Sequence, residues 1–292
     1  MNRRSILGGL GALGLSGLVA GCTGVGVPEP GPATPAPVPV RYGPDPAQYG
    51  ELHLPAGTQA AVPVVVVVHG GYWRQAYGLE LGTPLAVDLS NRGVAAWNIE
   101  YRRIGGGGGY PATFADVATA VDTLAGPGQA AAGGRLDLGR VVLLGHSAGG
   151  HLVGWVASRE RLPGGAVGAS PVVRPVGTVS QAGVLDLVAG AAADLGGGAV
   201  TDLLGGPPAA LADRYAQTSP AALVPAPAPV VCVHGDADTV VPLDQSERYV
   251  RAAVAAGAPA RLRVLPGADH FAVVDPADPA WDVVRSEVLG LL

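Results

Sequence analysis

The chain contains no lysine; all 18 basic residues among its 292 are arginine. An arginine-only set is read as the mark of a G+C-rich coding sequence rather than a functional choice. Beyond the N-terminus these arginines form no block, and the formal net charge is −5, so a nucleic-acid surface is not indicated. Cysteine is scarce as well. Cys22 and Cys232 form no CxxC and belong to no Cys/His cluster, so no zinc or other metal site is expected. Cys232 lies in the apolar run Pro229-Val230-Val231-Cys232-Val233 and reads as a buried, inert thiol. Charged residues make up only 14% of the chain against 48% hydrophobic, which excludes a disordered composition. Without its N-terminal segments the chain keeps about 250 residues, enough for one large core.

The N-terminus reads as an address. Arg3 and Arg4 precede an uncharged apolar stretch, residues 6–21, that ends in small residues, the pattern of a secretory signal. The stretch is short for a membrane span and is broken by Gly8, Gly9, Gly11, Gly14 and Gly17. Asn2-Arg3-Arg4-Ser5-Ile6-Leu7 resembles a twin-arginine export signal. Leu18-Val19-Ala20-Gly21-Cys22 resembles the lipobox of bacterial lipoproteins, in which the cysteine is lipidated and becomes the mature N-terminus. The resemblance implies an exported protein anchored at the outer side of the cell membrane through lipid on Cys22, at about 0.8 kcal/mol per buried CH₂. A lipidated Cys22 would leave Cys232 unpaired. The expected organisation is a signal segment 1–22, a Pro/Gly/Ala-rich tether 23–40 and a folded domain 41–292.

Within that domain, apolar β-branched runs alternate with stretches of helical spacing. Strands are expected at 62–68, 94–100, 140–144, 176–184, 229–233 and 261–265. Helices are expected at 79–91, 111–124, 148–158, 243–256 and 281–291. Such alternation implies an α/β fold, a mostly parallel central sheet with helices on both faces. Residues 186–228, rich in Gly, Ala and Pro, break the pattern and read as a small lid-like excursion with two short helices.

Four motifs sit at strand ends. Gly145-His146-Ser147-Ala148-Gly149 fits G-x-S-x-G. In so glycine-rich a chain the motif alone is weak, but a strand precedes it and a helix-compatible run follows, the context in which a serine projects above a sheet as a nucleophile. His69-Gly70-Gly71-Tyr72-Trp73 follows the valine strand; its glycines let backbone N–H groups turn inward. Gly70, Gly71 and Ala148 are the candidate oxyanion donors. Tyr72 and Trp73 are candidates for pocket lining and equally for packing. His234-Gly235-Asp236-Ala237-Asp238 offers two carboxylates, Asp236 and Asp238, able to orient a histidine. Gly267-Ala268-Asp269-His270-Phe271 follows the last strand, and His270 is the histidine best placed to act as general base. The order Ser147, acid, His270 is that of α/β-hydrolases, not of chymotrypsin or subtilisin.

These motifs, with Asn98-Ile99-Glu100-Tyr101-Arg102, Gly183-Val184-Leu185-Asp186-Leu187 and Ser219-Pro220, resemble the kynurenine-formamidase-like and acetyl/feruloyl esterase (BD-FAE-like) branch of the α/β-hydrolase superfamily. In hydrolases of this kind the acid stands three residues after the glycine, which selects Asp238. The resemblance implies a serine hydrolase that cleaves a small-molecule carboxylic ester through an acyl-enzyme, with no cofactor. Two alternatives stand beside it: a formamide or amide hydrolase with the same triad, and a non-catalytic binding lipoprotein on the same fold.

Overall fold

The computed structural model describes residues 35–57 and 61–292. The signal segment with its lipobox Cys22, and the tether as far as residue 34, lie outside the described residues.

The described chain builds one eight-stranded sheet. Its strands are β1 (Val38–Arg41), β2 (Tyr49–His53), β3 (Val62–Val68), β4 (Ala95–Ile99), β5 (Leu136–His146), β6 (Gly177–Gln181), β7 (Val230–Gly235) and β8 (Ala260–Leu265). They lie in the order β1-β2-β4-β3-β5-β6-β7-β8. The strands from β4 to β8 run parallel, and β2 is antiparallel to both β1 and β4. The helices are α1 (Thr83–Ser90), α2 (Ala112–Asp122), α3 (Pro127–Ala131), α4 (Ala148–Ala157), α5 (Leu187–Ala192), α6 (Ala199–Leu204), α7 (Ala212–Thr218), α8 (Asp244–Ala255) and α9 (Pro279–Gly290). This is the α/β-hydrolase fold.

Strand alternation sends successive side chains to opposite faces and so creates two cores. Val64, Val66, Val68, Val141 and Leu143 pack with Phe114 of α2, Trp155 of α4 and Tyr249 of α8. Val65, Val67, Val142, Leu144 and Val179 pack with Leu85 and Leu89 of α1 and Trp281 and Val284 of α9. Burial on both faces explains why β3 reads as an unbroken valine run. Each such side chain contributes about 1.5–3 kcal/mol of transfer free energy. Pro63 is tolerated because the register with β5 shifts between Pro63 and Val64.

Several expectations are corrected. The sheet extends into the segment read as tether, because β1 starts at Val38, before the boundary at Arg41. Pro39 can stand in β1 because an edge strand leaves one side unpaired. Neither β1 nor β2 was anticipated. The strand expected over 176–184 ends at Gln181, where Ala182 turns the chain with φ 47°. The helix expected over 79–91 is a 3₁₀ turn, Leu79–Leu81, followed by α1. The excursion 186–228 holds three helices, α5, α6 and α7, rather than two. It buries Leu187, Val200, Leu203, Leu204 and Tyr215 in the first core.

The parallel order brings the C-terminal ends of β3, β5, β6, β7 and β8 to one edge of the sheet. In open α/β sheets that edge is where ligands bind.

Candidate active site

Ser147 stands between β5 and α4 with φ 54° and ψ −117°, a sparsely populated conformation for a residue with a side chain. Such strain is worth about 1–3 kcal/mol and must be held by its surroundings. Here the motif glycines hold it. A Cβ on Gly149 would lie 2.1 Å from the Val68 carbonyl oxygen, and one on Gly145 would lie 2.2 Å from that of Gly149. A Cβ on Gly70 would meet the His146 carbonyl oxygen at 2.9 Å. The elbow is thus clamped against the end of β3, and only glycine fits the contact points. The Ser147 N–H donates to the Gln181 carbonyl at 2.8 Å. The amides of Ala148, Gly149 and Gly150, in the first turn of α4, have no acceptor within the helix.

The loop after β3 takes three consecutive positive φ values, 104° at Gly71, 51° at Tyr72 and 55° at Trp73. Its fastenings are polar and buried. The Trp73 indole N–H donates to the Ala148 carbonyl at 3.2 Å, and the Tyr101 hydroxyl donates to the His69 carbonyl at 3.0 Å. The His69 ring stacks on Tyr101 with centroids 4.5 Å apart. Its Nε2 lies 3.0 Å from Glu100 Oε1. The Glu100 carboxylate also accepts from the N–H groups of Leu79 at 3.1 Å and Tyr101 at 2.8 Å, and pairs with Arg103 at 3.1 Å.

His270 is buried, and its Nδ1 meets Asp238 Oδ2 at 2.6 Å. The Asp238 carboxylate is completely screened from solvent. Its Oδ1 accepts from the N–H groups of Val240 and Val241, both at 2.8 Å, and its Oδ2 also receives His234 Nε2 at 3.2 Å. Burial opposes the charge, but the bonds from His234, His270 and the Val241 N–H outweigh it and hold the carboxyl well below the usual carboxylate range. Asp236 plays the other part: its Oδ1 accepts from the Gly267 N–H at 2.6 Å and ties the end of β7 to the turn before His270.

Ser147 and His270 line one cavity of about 250 Å³ together with His69, Gly70, Gly71 and Tyr72. No hydrogen bond joins Ser147 Oγ to His270 Nε2 among the described residues; such contacts commonly tighten only around a substrate. Val67, Leu81, Leu85, Val240, Phe271 and Val274 give the cavity an apolar side, and His146 and Gln181 also line it. Tyr72 lines the cavity and anchors its hydroxyl on the Val240 carbonyl at 2.9 Å. Trp73, the other candidate for the pocket, is fully buried beside His151 and is not among the lining residues. Its indole is committed to holding the loop onto α4. No residue of 186–228 lines the cavity either.

Three residues that motif reading passed over belong to the site. His234 is buried and braces Asp238, with Ser246 Oγ at 2.8 Å on its other nitrogen. His146 donates from Nε2 to the His270 carbonyl at 2.9 Å. Burial, and then the neighbouring His270, push the His146 pKa down to about 3, so its ring is neutral under ordinary conditions. Gln181, the last residue of the buried strand β6, supplies the carbonyl under Ser147 and also lines the cavity. Among the described residues no group of three or more His, Cys, Asp or Glu is arranged to hold a metal ion.

Comparisons with known proteins agree with this architecture. A family model described as BD-FAE matches residues 51–252. A truncated carbohydrate esterase from gut microbiota superposes with a TM-score of 0.72 at 21% identity, over 89% of this chain and 96% of its own. Esterase B from Lactobacillus rhamnosis gives 0.74 at 23% identity, over 87% and 84%. A thermophilic esterase from the planctomycete Thermogutta terrifontis gives 0.71 at 20% identity, over 88% and 92%. At such identities these likenesses establish the fold. A comparison with curated protein sequences returns no match.

Proposed function

The chain belongs to the BD-FAE family, and from that premise we propose that it is a serine esterase whose nucleophile is Ser147. One observation carries the reading: a serine in a strained strand–helix turn shares a cavity with a histidine whose Nδ1 is 2.6 Å from a buried carboxylate.

In the proposed cycle Ser147 Oγ attacks the ester carbonyl carbon and its proton passes to His270 Nε2. Asp238 holds the Nδ1–H and stabilises the imidazolium. The oxyanion is met by backbone N–H groups of the 70–71 loop and of Ala148, at the positive end of α4. Collapse expels the alcohol, which takes the proton from His270. Water then attacks the acyl-enzyme, gives its proton to His270, and collapse releases the acid and the Ser147 hydroxyl. His146, whose ring is neutral near pH 7, gives its Nε2–H to the His270 carbonyl and supports that backbone.

The N-terminal motifs place this activity, in our reading, outside the cytoplasmic membrane on a lipid carried by Cys22. Metabolic labelling with a tagged fatty acid, present in the natural chain and lost in Cys22→Ala, is the result expected.

The test of the activity is hydrolysis of a p-nitrophenyl ester series, acetate to octanoate, by the full chain and by Ser147→Ala. Turnover in the former and none above background in the latter is expected. Equal rates in both would refute the serine mechanism.

A further inference from the structure

Tyr72 stands between the two halves of the site and is bonded to both. It follows Gly71 in the oxyanion loop with φ 51°, a conformation that a residue with a side chain holds only when its surroundings fix it. Its neighbour Trp73 fastens that loop to α4. Tyr72 fastens it to the far side of the site, where its hydroxyl donates to the Val240 carbonyl at 2.9 Å.

That carbonyl belongs to the peptide group whose N–H, the amide of Val241, donates to Asp238 Oδ1 at 2.8 Å. In a trans peptide the C=O and N–H point in opposite directions, so hydroxyl, peptide and carboxylate form one continuous chain of hydrogen bonds. A bond accepted at the carbonyl polarises the peptide and strengthens donation from its N–H, by about 10–30% per bond. At the end of the chain Asp238 Oδ2 meets His270. Burial, and then the Asp238 charge, raise the Tyr72 pKa, so the hydroxyl keeps the proton this chain requires.

The ring is backed by a segment outside the cavity lining. A Cβ on Gly196, in the excursion 186–228, would lie 2.6 Å from Tyr72 Cδ1 and 2.7 Å from Cε1. Arg74 ties this segment to the loop, with Nη2 3.1 Å from the Gly197 carbonyl oxygen and 3.6 Å from Asp202. Gly196 thus fixes where the ring stands, and the ring fixes where the hydroxyl meets Val240.

We infer that Tyr72 is a positioning residue that couples the oxyanion loop to the Asp238–His270 pair through its hydroxyl, with Gly196 of the excursion as its backstop. The inference rests on the serine esterase reading and adds a side chain to the set Ser147, His270 and Asp238. The two halves meet charges that develop together, on the oxyanion and on the His270 ring, so their relative placement counts more in the transition state than in the bound ester.

The experiment measures kcat and KM on p-nitrophenyl butyrate for the full chain and for Tyr72→Phe, with kcat expressed per site titrated by a fluorophosphonate. Phenylalanine keeps the ring against Gly196 and in the cavity wall and deletes only the donor. A fall in kcat of about three- to tenfold with KM within about twofold is expected, the scale of one neutral hydrogen bond. Counting titrated sites removes loss of folded protein from that figure, so a purely structural role leaves kcat unmoved. Gly196→Ala presses on the ring from outside; it is expected to lower kcat in the natural chain and to add no further loss in Tyr72→Phe. A kcat per site for Tyr72→Phe within about twofold of the natural chain, or a loss carried by KM alone, overturns the inference. So do equal losses, or none, from Gly196→Ala in both backgrounds. Where Gly196→Ala does not fold, Tyr72→Phe alone decides. If the full chain shows no turnover above the Ser147→Ala background, the esterase reading fails and takes this inference with it.

Discussion

The sharpest perturbation of the proposed mechanism is Asp238→Asn, because four donors converge on that carboxylate. Val240 and Val241 donate their N–H groups to Oδ1 at 2.8 Å each, while His270 and His234 approach Oδ2 at 2.6 and 3.2 Å. An asparagine there keeps its carbonyl oxygen toward the two amides, since its NH₂ group cannot accept from them. The NH₂ then faces His270, and Nδ1 must become an acceptor. That tautomer carries its proton on Nε2, where the base toward Ser147 is required. His234 can still donate to the Val241 carbonyl at 2.9 Å, so the damage falls on His270. Loss of the correct tautomer in a Ser-His-Asp triad lowers kcat about 10⁴-fold, or about 5.4 kcal/mol of transition-state stabilisation.

The assay is kcat on a p-nitrophenyl ester with Asp236→Asn as the control. Asp236 is exposed and makes a single turn contact with Gly267, so its variant should lose about tenfold or less in kcat and about 1 kcal/mol of stability. A kcat for Asp238→Asn within about tenfold of the natural chain, or a larger loss in Asp236→Asn, would refute the assignment of the acid.

Three further outcomes follow from other parts of the site. Gly149→Ala puts a Cβ 2.1 Å from the Val68 carbonyl oxygen, between two backbones, so a stability loss above about 3 kcal/mol is expected in urea titrations. Glu100→Gln weakens the anchor of the 69–71 loop to His69 and Arg103; a fall in kcat with KM nearly unchanged is expected, and a change in KM alone would mean the loop does not serve the transition state. His151 is buried and neutral, its pKa pushed down to about 4 by burial, so below about pH 6.5 the unfolded chain binds a proton that the native chain refuses. Stability therefore falls as pH drops toward 4, by about 2 kcal/mol between pH 7 and pH 5 from this residue, and His151→Gln should flatten that slope in urea midpoints measured across the range.

Much of the site was legible because its chemistry needs local strain, and strain leaves short marks. Gly145, Gly149 and Gly70 stand where any Cβ would strike backbone, which is why the motifs around Ser147 and His69 survive as readable strings. What escaped reading depends on contacts distant in sequence. Tyr72 and Trp73 are adjacent residues with similar φ, yet one lines the cavity and the other holds α4 through an indole bond spanning 75 residues. The choice between Asp236 and Asp238 likewise turns on geometry, since Asp238 curls back under the amides of Val240 and Val241 while Asp236 reaches toward β8. The first two strands went unseen for a different reason. Tyr49-Gly50-Glu51-Leu52-His53 is short and poor in β-branched residues, and only pairing with β4 on one side and β1 on the other makes it a strand. His234 and Gln181 show the limit most clearly. Each is a polar residue near the end of a buried strand, ordinary by type, and each acquires its contacts only when the sheet order sets β6 and β7 beside the turn that carries His270. A polar side chain in the last positions of a buried parallel strand is therefore the sequence signal that merits a functional reading, since the fold delivers that end to the ligand edge of the sheet.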